Sequence, residues 1–233
     1  RSASSCGHST IKMQPKLLSK GVQDYFKQTY GRDTILIPNG VSRPENVEAD
    51  LLTKKFGLHK DDYICALSRL TEEKGIHYVK TDKKLVIAGD TSDTDDYVMK
   101  LKKLAGNNPN IIFTGFVSGR TLEELYSNAY VYVLPSKLEG MPLSLLEAMS
   151  YGNCVIGSDI AEIADVVEDK AILFKKANVE DLKEKLQMVC DDVELVEKYK
   201  REASGYICGR YNWEDIVSRT VEVYRGKKSC KEN

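Results

Sequence analysis

Two glutamates separated by seven residues form a candidate binding element in the middle of the chain. Glu139 lies in a loop that continues through Gly140 to Pro142, and Glu147 lies on the helix predicted after it. Glycine exposes backbone N–H groups and a helix N-terminus adds partial positive charge, so this turn can hold an anionic diphosphate. The two carboxylates can accept hydrogen bonds from sugar hydroxyls. An ordinary exposed position for Glu147 is the alternative, although its helix is largely apolar and an unpartnered charge there is costly.

Two cations form a second candidate element earlier in the chain. Arg69 and Lys74 follow an apolar, strand-like run that ends at Leu67. Arginine offers a planar fork of donors and lysine a point charge, so the pair suits a diphosphate. A surface ion pair of Arg69 with Glu72 or Glu73 accounts for the same residues equally well.

Two further loops carry weaker signals. In residues 114–118, Phe116 and the backbone can frame a planar ring, but a plain turn between a strand and a helix fits these residues equally well. In residues 158–162, Asp159 and Glu162 can reach a sugar, although capping of a following helix is the favoured interpretation.

Short apolar runs alternating with amphipathic segments must position these residues. The predicted strands are residues 35–37, 63–67, 85–89, 111–113, 130–134, 154–157 and 171–174. The predicted helices are residues 17–30, 49–56, 95–106, 121–129, 142–151, 179–190, 193–204 and 213–224. This alternation predicts a doubly wound α/β fold, with a parallel sheet and helices on both faces. Ligands of such sheets bind outside the carboxyl ends of the strands, so the candidate loops should meet at one edge.

Three local details extend this prediction. Thr121 and Glu124 match a capping box at the start of a helix. Leu104 belongs to the predicted apolar stripe of residues 95–106, together with Tyr97 and Leu101. The helix predicted at residues 17–30 likewise has an apolar side, made by Leu18, Val22, Tyr25 and Phe26.

The composition argues against several classes of protein. The chain has 34 basic and 35 acidic residues, a balance that argues against a dedicated nucleic-acid-binding protein. No apolar run approaches the roughly 20 residues of a transmembrane helix, and the first residues lack the apolar stretch of a secretory signal. Six cysteines without a CxxC pair and three histidines do not suggest a metal site, and Cys65 and Cys154 are expected in the core. This cysteine usage predicts a reducing cytoplasm.

Taken together, these residues resemble the retaining glycosyltransferases of family four, whose GT-B fold has two facing Rossmann-like domains. The matching stretches are residues 37–41, 68–75, 85–89, 113–117 and 139–149, in the family's order, and the last carries its E-x7-E element. The resemblance implies that the chain is mainly the C-terminal, donor-binding half. Residues 38–207 would form the nucleotide-sugar-binding domain, residues 1–37 the end of an N-terminal domain, and residues 208–233 a C-terminal helix and tail.

The resemblance also implies a role for each candidate residue. Arg69 and Lys74 would hold the donor diphosphate and Glu139 the donor sugar, and these three would be the catalytic residues. The residues that would line sugar and phosphate with main chain are Gly140, Met141, Pro142 and Leu143. Glu147 would bind the ribose hydroxyls, and Phe116 and Val117 would border the base.

The implied reaction transfers a sugar from a UDP-, GDP- or ADP-sugar to an acceptor with retention, and it needs no metal or other cofactor. The implied acceptors include lipid-linked and cell-surface glycan precursors. The implied place is the cytoplasm, including the inner face of the membrane through an N-terminal domain. A non-catalytic nucleotide-binding or interaction module of the same fold is the alternative, and a GT-B epimerase or phosphorylase fits the E-x7-E element less well.

The sequence departs from the family's pattern in three places. Only residues 17–37 resemble the acceptor-binding N-terminal domain, so we expect no transfer by this chain alone. The nine residues from 76 to 84 replace a full helix, although a parallel crossover needs about 10–12 residues or more. Residues 2–14 match nothing in the family.

Overall fold

The fold is a parallel sheet covered by helices. A computed structural model describes residues 16–91 and 96–225. Residues 2–14, which match nothing in the family, therefore lie outside the described residues. So do the start of the predicted segment 1–37 and the end of the predicted segment 208–233. The strands are β1 Lys16–Leu17, β2 Ile35–Leu36, β3 Tyr63–Leu67, β4 Lys84–Ala88, β5 Ile111–Gly115, β6 Val131–Leu134, β7 Cys154–Ser158 and β8 Ile172–Phe174. Strands β3 to β8 form one sheet in the order β5-β4-β3-β6-β7-β8, and every neighbouring pair is parallel. The prediction of a doubly wound parallel sheet is therefore confirmed.

The helices follow the predicted alternation closely. They are α1 Lys20–Tyr30, α2 Leu51–Phe56, α3 Asp96–Ala105, α4 Gly119–Ser127, α5 Leu143–Ser150, α6 Ala161–Val167, α7 Val179–Asp191, α8 Val193–Arg210 and α9 Trp213–Tyr224. Helix α8 is six residues longer than predicted because its last turns pack into the core through Ile207 and Cys208. The connection from β3 to β4 forms two 3-10 turns, Glu72–Lys74 and Ile76–Tyr78, and its fully described residues contain no α-helix. The prediction of a shortened crossover is confirmed.

Both faces of the sheet are buried, which explains the continuous apolar runs of the strands. Successive side chains point to opposite faces, so Tyr63 and Cys65 lie in one core cluster and Ile64 and Ala66 in the other. The first cluster includes residues of α4, α5, α6 and α8, and the second includes residues of α3 and α7. Cys65 and Cys154 are fully buried, as predicted.

A small unit precedes this sheet. Strands β1 and β2 pair with each other in parallel, and α1 connects them. Arg219 of α9 donates a hydrogen bond to the Leu36 carbonyl at 3.0 Å, so the last helix contacts this unit. The predicted apolar side of α1 is not covered by the rest of the described chain. No residue of α1 is buried, and the Tyr25 side chain is 54% exposed.

The predicted capping box is wrong, because Glu124 caps a different helix. Helix α4 begins at Gly119, so Thr121 is its third residue, and Ser118 is the N-cap. Glu124 is fully buried, and its Oε2 accepts hydrogen bonds from the backbone N–H groups of Asp50 and Leu52, each at 3.0 Å. The carboxylate therefore satisfies donors at the start of α2.

The predicted cap at the start of α6 is also wrong. Ile160 is the N-cap and makes no side-chain capping bond. Asp159 instead accepts a hydrogen bond from the backbone N–H of Lys176 at 2.7 Å, since the chain returning after β8 passes beside it. Asp159 therefore ties two loops together.

Replacing Glu124 with alanine is expected to lower the free energy of unfolding by about 3 kcal/mol. The change leaves two backbone donors at the start of α2 without an acceptor, at about 1–3 kcal/mol each. Glu123→Ala is the matched control, because Glu123 is its neighbour on α4 and its side chain is 46% exposed. Urea denaturation should show a change within about 0.5 kcal/mol for the control. Equal effects of the two substitutions would contradict the capping role.

Candidate functional site

The loops after β3 and β6 meet at the carboxyl edge of the sheet, because these strands are neighbours. The backbone N–H of Lys137 donates to the Glu73 carbonyl at 2.7 Å. Gly75 has φ +67, and a side chain there would clash with the carbonyl oxygen of Pro135. Glycine at this position therefore permits both the left-handed turn and the close approach of the two loops.

Lys74 and Glu139 form an ion pair across this contact. The Lys74 amine lies 2.7 Å from Oε1 of Glu139, and the two side chains are only 13% and 7% exposed. The Ser136 hydroxyl donates to the same oxygen at 2.6 Å. Oε1 is thus bonded twice, whereas Oε2 has no hydrogen bond within the described part of the chain and remains available as an acceptor.

Two serines that sequence analysis missed hold this carboxylate in place. Ser136 and Ser158 are both fully buried, and the Ser158 hydroxyl donates to the Ser136 carbonyl at 2.5 Å. Ser158 ends β7 and Ser136 follows β6 by two residues, so each lies at the carboxyl end of a strand. That position was the available signal for both residues.

The turn before α5 presents unpaired backbone donors. Residues 16–91 and 96–225 contain no acceptor for the N–H groups of Gly140, Met141, Leu143 and Ser144. The first N–H groups of a helix carry partial positive charge and have no partner inside the helix. Leu143 is 51% exposed, so the start of α5 opens to solvent. This end of the helix can bind an anion.

Met141 anchors the same turn to the segment that follows β2. The backbone N–H of Asn39 donates to its sulfur at 3.1 Å, and the Asn39 side-chain amide approaches its carbonyl at 3.5 Å. Met141 is itself buried. The turn at Gly140 is therefore fixed by contacts with the loop after β3, with Ser158 at the end of β7 and with Asn39 after β2. Its own N–H groups stay unpaired within the described residues.

Glu147 lies on α5 beside a buried tyrosine. The Tyr126 hydroxyl donates to Oε2 of Glu147 at 2.9 Å. Burial raises the pKa of Tyr126 well above its usual value. The Tyr126 ring stacks on Tyr151, with centroids 5.4 Å apart. Glu147 is half-buried and held by this contact, unlike an ordinary exposed helix residue.

The remaining candidate residues lie at the same edge and are more open. Arg69 is exposed, and within the described residues it forms no ion pair with Glu72 or Glu73. The Glu72 carboxylate instead pairs with Lys100 at 2.8 Å. The surface ion pair considered as an alternative for Arg69 is thus absent from this part of the chain.

Phe116 and Val117 follow β5, at the far side of the sheet edge. Phe116 is 75% exposed, and Val117 is half-buried against the core. Three strand spacings of about 4.8 Å separate β5 from β6, so these residues lie roughly 14 Å from the loop of Glu139. The structure therefore joins Lys74 directly to Glu139 and leaves Phe116 at the other end of the edge.

The described ranges contain neither a metal-binding cluster nor a membrane-spanning helix. Residues 16–91 and 96–225 contain no group of three His, Cys, Asp or Glu side chains arranged to hold a metal ion. None of the helices in these ranges has the length and hydropathy that crossing a bilayer requires. Metal independence stays a prediction.

Comparison with solved structures identifies the fold. The HepE protein of Anabaena, solved in complex with UDP-glucose, superposes with a TM-score of 0.83 at 19% identity, over 92% of this chain and 64% of that one. A glycosyltransferase of Rickettsia africae gives a TM-score of 0.83 at 18% identity, over 93% and 64% of the two chains. At these identities the similarity shows the shared fold, which is that of the GT-B glycosyltransferases.

Comparison with known sequences identifies the family. The chain is 31% identical over 184 residues to an uncharacterized glycosyltransferase of Methanocaldococcus jannaschii, covering 74% of this chain and 47% of that protein. It is 24% identical over 186 residues to the alpha-D-kanosaminyltransferase of Streptomyces kanamyceticus, covering 75% and 48%. The chain thus spans about half the length of these relatives. Residues 49–206 match the family described as "Glycosyl transferases group 1", which is more than half of the chain. The chain belongs to the group 1 glycosyl transferases.

Proposed function

We propose that this chain is the C-terminal, donor-binding domain of a retaining glycosyltransferase. In this proposal a nucleotide sugar lies along the carboxyl edge of the sheet, from Phe116 at one end to Glu139 at the other. The observation that carries the proposal is the buried pair of Lys74 and Glu139 beside the unpaired N–H groups at the start of α5. In the proposed complex these cationic and anionic groups lie where the nucleotide sugar joins its diphosphate to its sugar.

The diphosphate binds between Arg69, Lys74 and the first turn of α5. Arg69 is exposed and has no ion pair in the described residues, so its guanidinium is available for a bidentate contact. The N–H groups of Gly140, Met141, Leu143 and Ser144 supply further donors, with Pro142 starting the helix. These groups can neutralise the diphosphate without a metal ion, which supports the proposal of a metal-independent enzyme.

The two glutamates bind the two groups that flank the diphosphate, which are the donor sugar and the ribose. Oε2 of Glu139 accepts hydrogen bonds from the donor sugar, while Oε1 stays bonded to Ser136 and Lys74. Glu147 accepts from the ribose hydroxyls while Tyr126 holds its side chain. Phe116 and Val117 border the base. The neighbour from Anabaena is solved with UDP-glucose, so a UDP-sugar is our first candidate donor, ahead of GDP- and ADP-sugars.

Catalysis in this proposal depends on stabilising the leaving diphosphate. Negative charge grows on the phosphate as its bond to the anomeric carbon breaks. In this proposal Arg69, Lys74 and the N–H groups at the start of α5 surround the diphosphate, so they stabilise this charge as it develops. Glu139 orients the sugar so that the acceptor attacks with retention.

A second Rossmann-like domain would complete the enzyme in this proposal. Exposed apolar side chains that such a domain can cover are Leu18 just before α1, Val22 and Tyr25 on α1, and Trp213, Val217 and Val221 on α9. Residues 16–37 and 208–225 would then belong to the interface between domains. A lipid-linked or cell-surface glycan precursor as acceptor, and a cytoplasmic location at the inner face of the membrane, rest on the family resemblance alone.

The chain is expected to bind a nucleoside diphosphate in the presence of EDTA. Calorimetry with UDP, GDP and ADP should show saturable binding of at least one of them, because the protein supplies the positive charge. Lys74→Ala should weaken this binding about tenfold or more, since a charged hydrogen bond contributes about 1.5–3 kcal/mol. Lys102→Ala, an exposed lysine of α3, is the matched control and should leave binding unchanged. A folded chain that binds none of the three nucleotides would refute the site.

The purified 233-residue chain is expected to show no glycosyl transfer by itself. Transfer requires the acceptor to be held against the donor in a reactive geometry, and this chain spans about half the length of its relatives. Labelled UDP-glucose and a panel of acceptors provide the assay, with donor hydrolysis as background. Multiple turnovers above that background would contradict this part of the proposal.

A further inference from the structure

One face of the sheet carries a groove between α3 and α7. It encloses about 720 Å³, and its apolar lining includes Leu85, Ile87, Leu101, Leu104 and Leu186. Ile111 also lines the groove, and Leu85 and Ile111 lie at the beginnings of β4 and β5. We refer to this feature as the α3–α7 groove.

The groove lies where a crossover helix would cover the sheet. Parallel sheets are covered on both faces, usually by the helices that connect their strands. Helices α3 and α7 pack on the face formed by Ile64, Ala66 and Ile87. The connection from β3 to β4 crosses this face with 3-10 turns alone, and all of its residues are described. The space between α3 and α7 is therefore bordered by the sheet and by two helices, as the position of a third helix would be.

One side chain at the rim is apolar without being covered. Leu104 belongs to the stripe of α3 that includes Tyr97 and Leu101, which are 7% and 4% exposed. Leu104 itself is 63% exposed because it faces the groove, which corrects its predicted place in the buried stripe. Cys190 of α7 is half-buried on the opposite wall. These positions offer contacts to an apolar stripe of an incoming segment.

The charges around the groove are mostly positive. Lys80, Lys83 and Lys183 line it, and Asp82 is the one carboxylate among its described lining residues. Lys80 and Lys183 are exposed. A partner with carboxylates beside its apolar stripe would thus be electrostatically complementary.

We propose that the α3–α7 groove binds an amphipathic helix of a partner protein, with an apolar stripe against the sheet and acidic residues on its flanks. Binding of a helix in an apolar groove is a recurring mode of recognition, read through residues at i, i+3, i+4 and i+7. Arg69, Lys74 and Glu139 are not among the residues that line the groove, so its occupant leaves these side chains of the donor site uncovered. The inference does not depend on the proposed function.

A designed peptide tests this inference directly. The probe is a lactam-stapled helix of about 14 residues, roughly 21 Å long, with leucines along one stripe and glutamates elsewhere. The control peptide has the same sequence with every glutamate replaced by lysine. Fluorescence anisotropy should show saturable binding of the acidic peptide at least about tenfold tighter than binding of the basic one.

Substitutions then locate the binding. Leu104→Glu and Lys183→Glu should each weaken the acidic peptide about fivefold or more, because they place a like charge beside its carboxylates. Lys198→Glu is the matched control, since Lys198 is exposed on α8, away from the groove, and should leave binding unchanged. Urea denaturation of each variant confirms that it is folded.

Cys190 provides a local readout. The bound peptide should slow alkylation of Cys190, measured by mass spectrometry at mildly alkaline pH. The proposal is overturned if the acidic peptide does not bind saturably, if Leu104→Glu leaves its affinity unchanged, or if alkylation of Cys190 is unaffected. Concentration-dependent dimerisation that Leu104→Glu abolishes would also overturn it, because the occupant would then be a second copy of the chain.

Discussion

Glu139→Ala is expected to weaken binding of a nucleotide sugar about tenfold or more while leaving affinity for the free nucleoside diphosphate within about twofold. The lost contact is a hydrogen bond from a sugar hydroxyl to Oε2, and charged hydrogen bonds contribute about 1.5–3 kcal/mol. The free nucleotide has no such sugar. The substitution also releases Lys74 from its 2.7 Å ion pair, so the lysine remains available to the diphosphate.

Calorimetry of UDP and UDP-glucose against the same protein gives both affinities. Glu123→Ala serves as control, because Glu123 lies on α4 with a 46% exposed side chain. Equal weakening of nucleotide and nucleotide sugar by Glu139→Ala would assign this carboxylate to the nucleotide. No weakening of either ligand would remove Glu139 from the site.

Glu147→Ala should produce the complementary pattern, with loss of about tenfold or more for the free nucleotide and for the nucleotide sugar alike. Both ligands carry the ribose, and Glu147 lies on α5 about one turn beyond the N–H groups that we propose to bind the diphosphate. The same calorimetric titrations measure this effect. Retained affinity for both ligands would show that the ribose binds elsewhere.

Tyr126→Phe distinguishes the contribution of the Glu147 carboxylate from that of the tyrosine hydroxyl that holds it. This substitution removes the 2.9 Å hydrogen bond to Glu147 but keeps the ring stacked on Tyr151. A net hydrogen bond contributes about 0.5–1.5 kcal/mol, so we expect a loss of about threefold. A loss as large as that of Glu147→Ala would mean that the tyrosine hydroxyl is as important for the ligand as the carboxylate that it holds.

The sequence by itself determined the elements and the edge on which function should be sought. Strands such as Tyr63–Leu67 are buried on both faces, so they read as continuous apolar runs, which is the pattern of a parallel sheet. The carboxyl ends of such strands carry ligand sites, so the loops of Lys74 and Glu139 could be selected before any coordinates. The short segment between β3 and β4 was equally visible, because chain length limits what a crossover can contain.

The order of the strands was decided only by the tertiary structure. Strand β6 lies beside β3 although β4 and β5 intervene in the chain. This adjacency brings Lys74 to Glu139 across 65 positions of sequence, and no local pattern encodes it. Ser136 and Ser158 were missed for the same reason, since a serine after a strand has many local uses and its partner is set by neighbouring strands.

Helix capping shows the same division between local pattern and tertiary contact. Glu124 matched a local capping signal, yet in the folded chain it caps α2 through Asp50 and Leu52, more than 70 residues away. Leu104 fitted an apolar stripe, yet it stays exposed because no described helix covers that part of the sheet. Periodicity and turn chemistry are local and can be read from the chain. The partner that satisfies a polar group or covers an apolar one depends on which elements pack together, and that was decided by the packing of the whole domain.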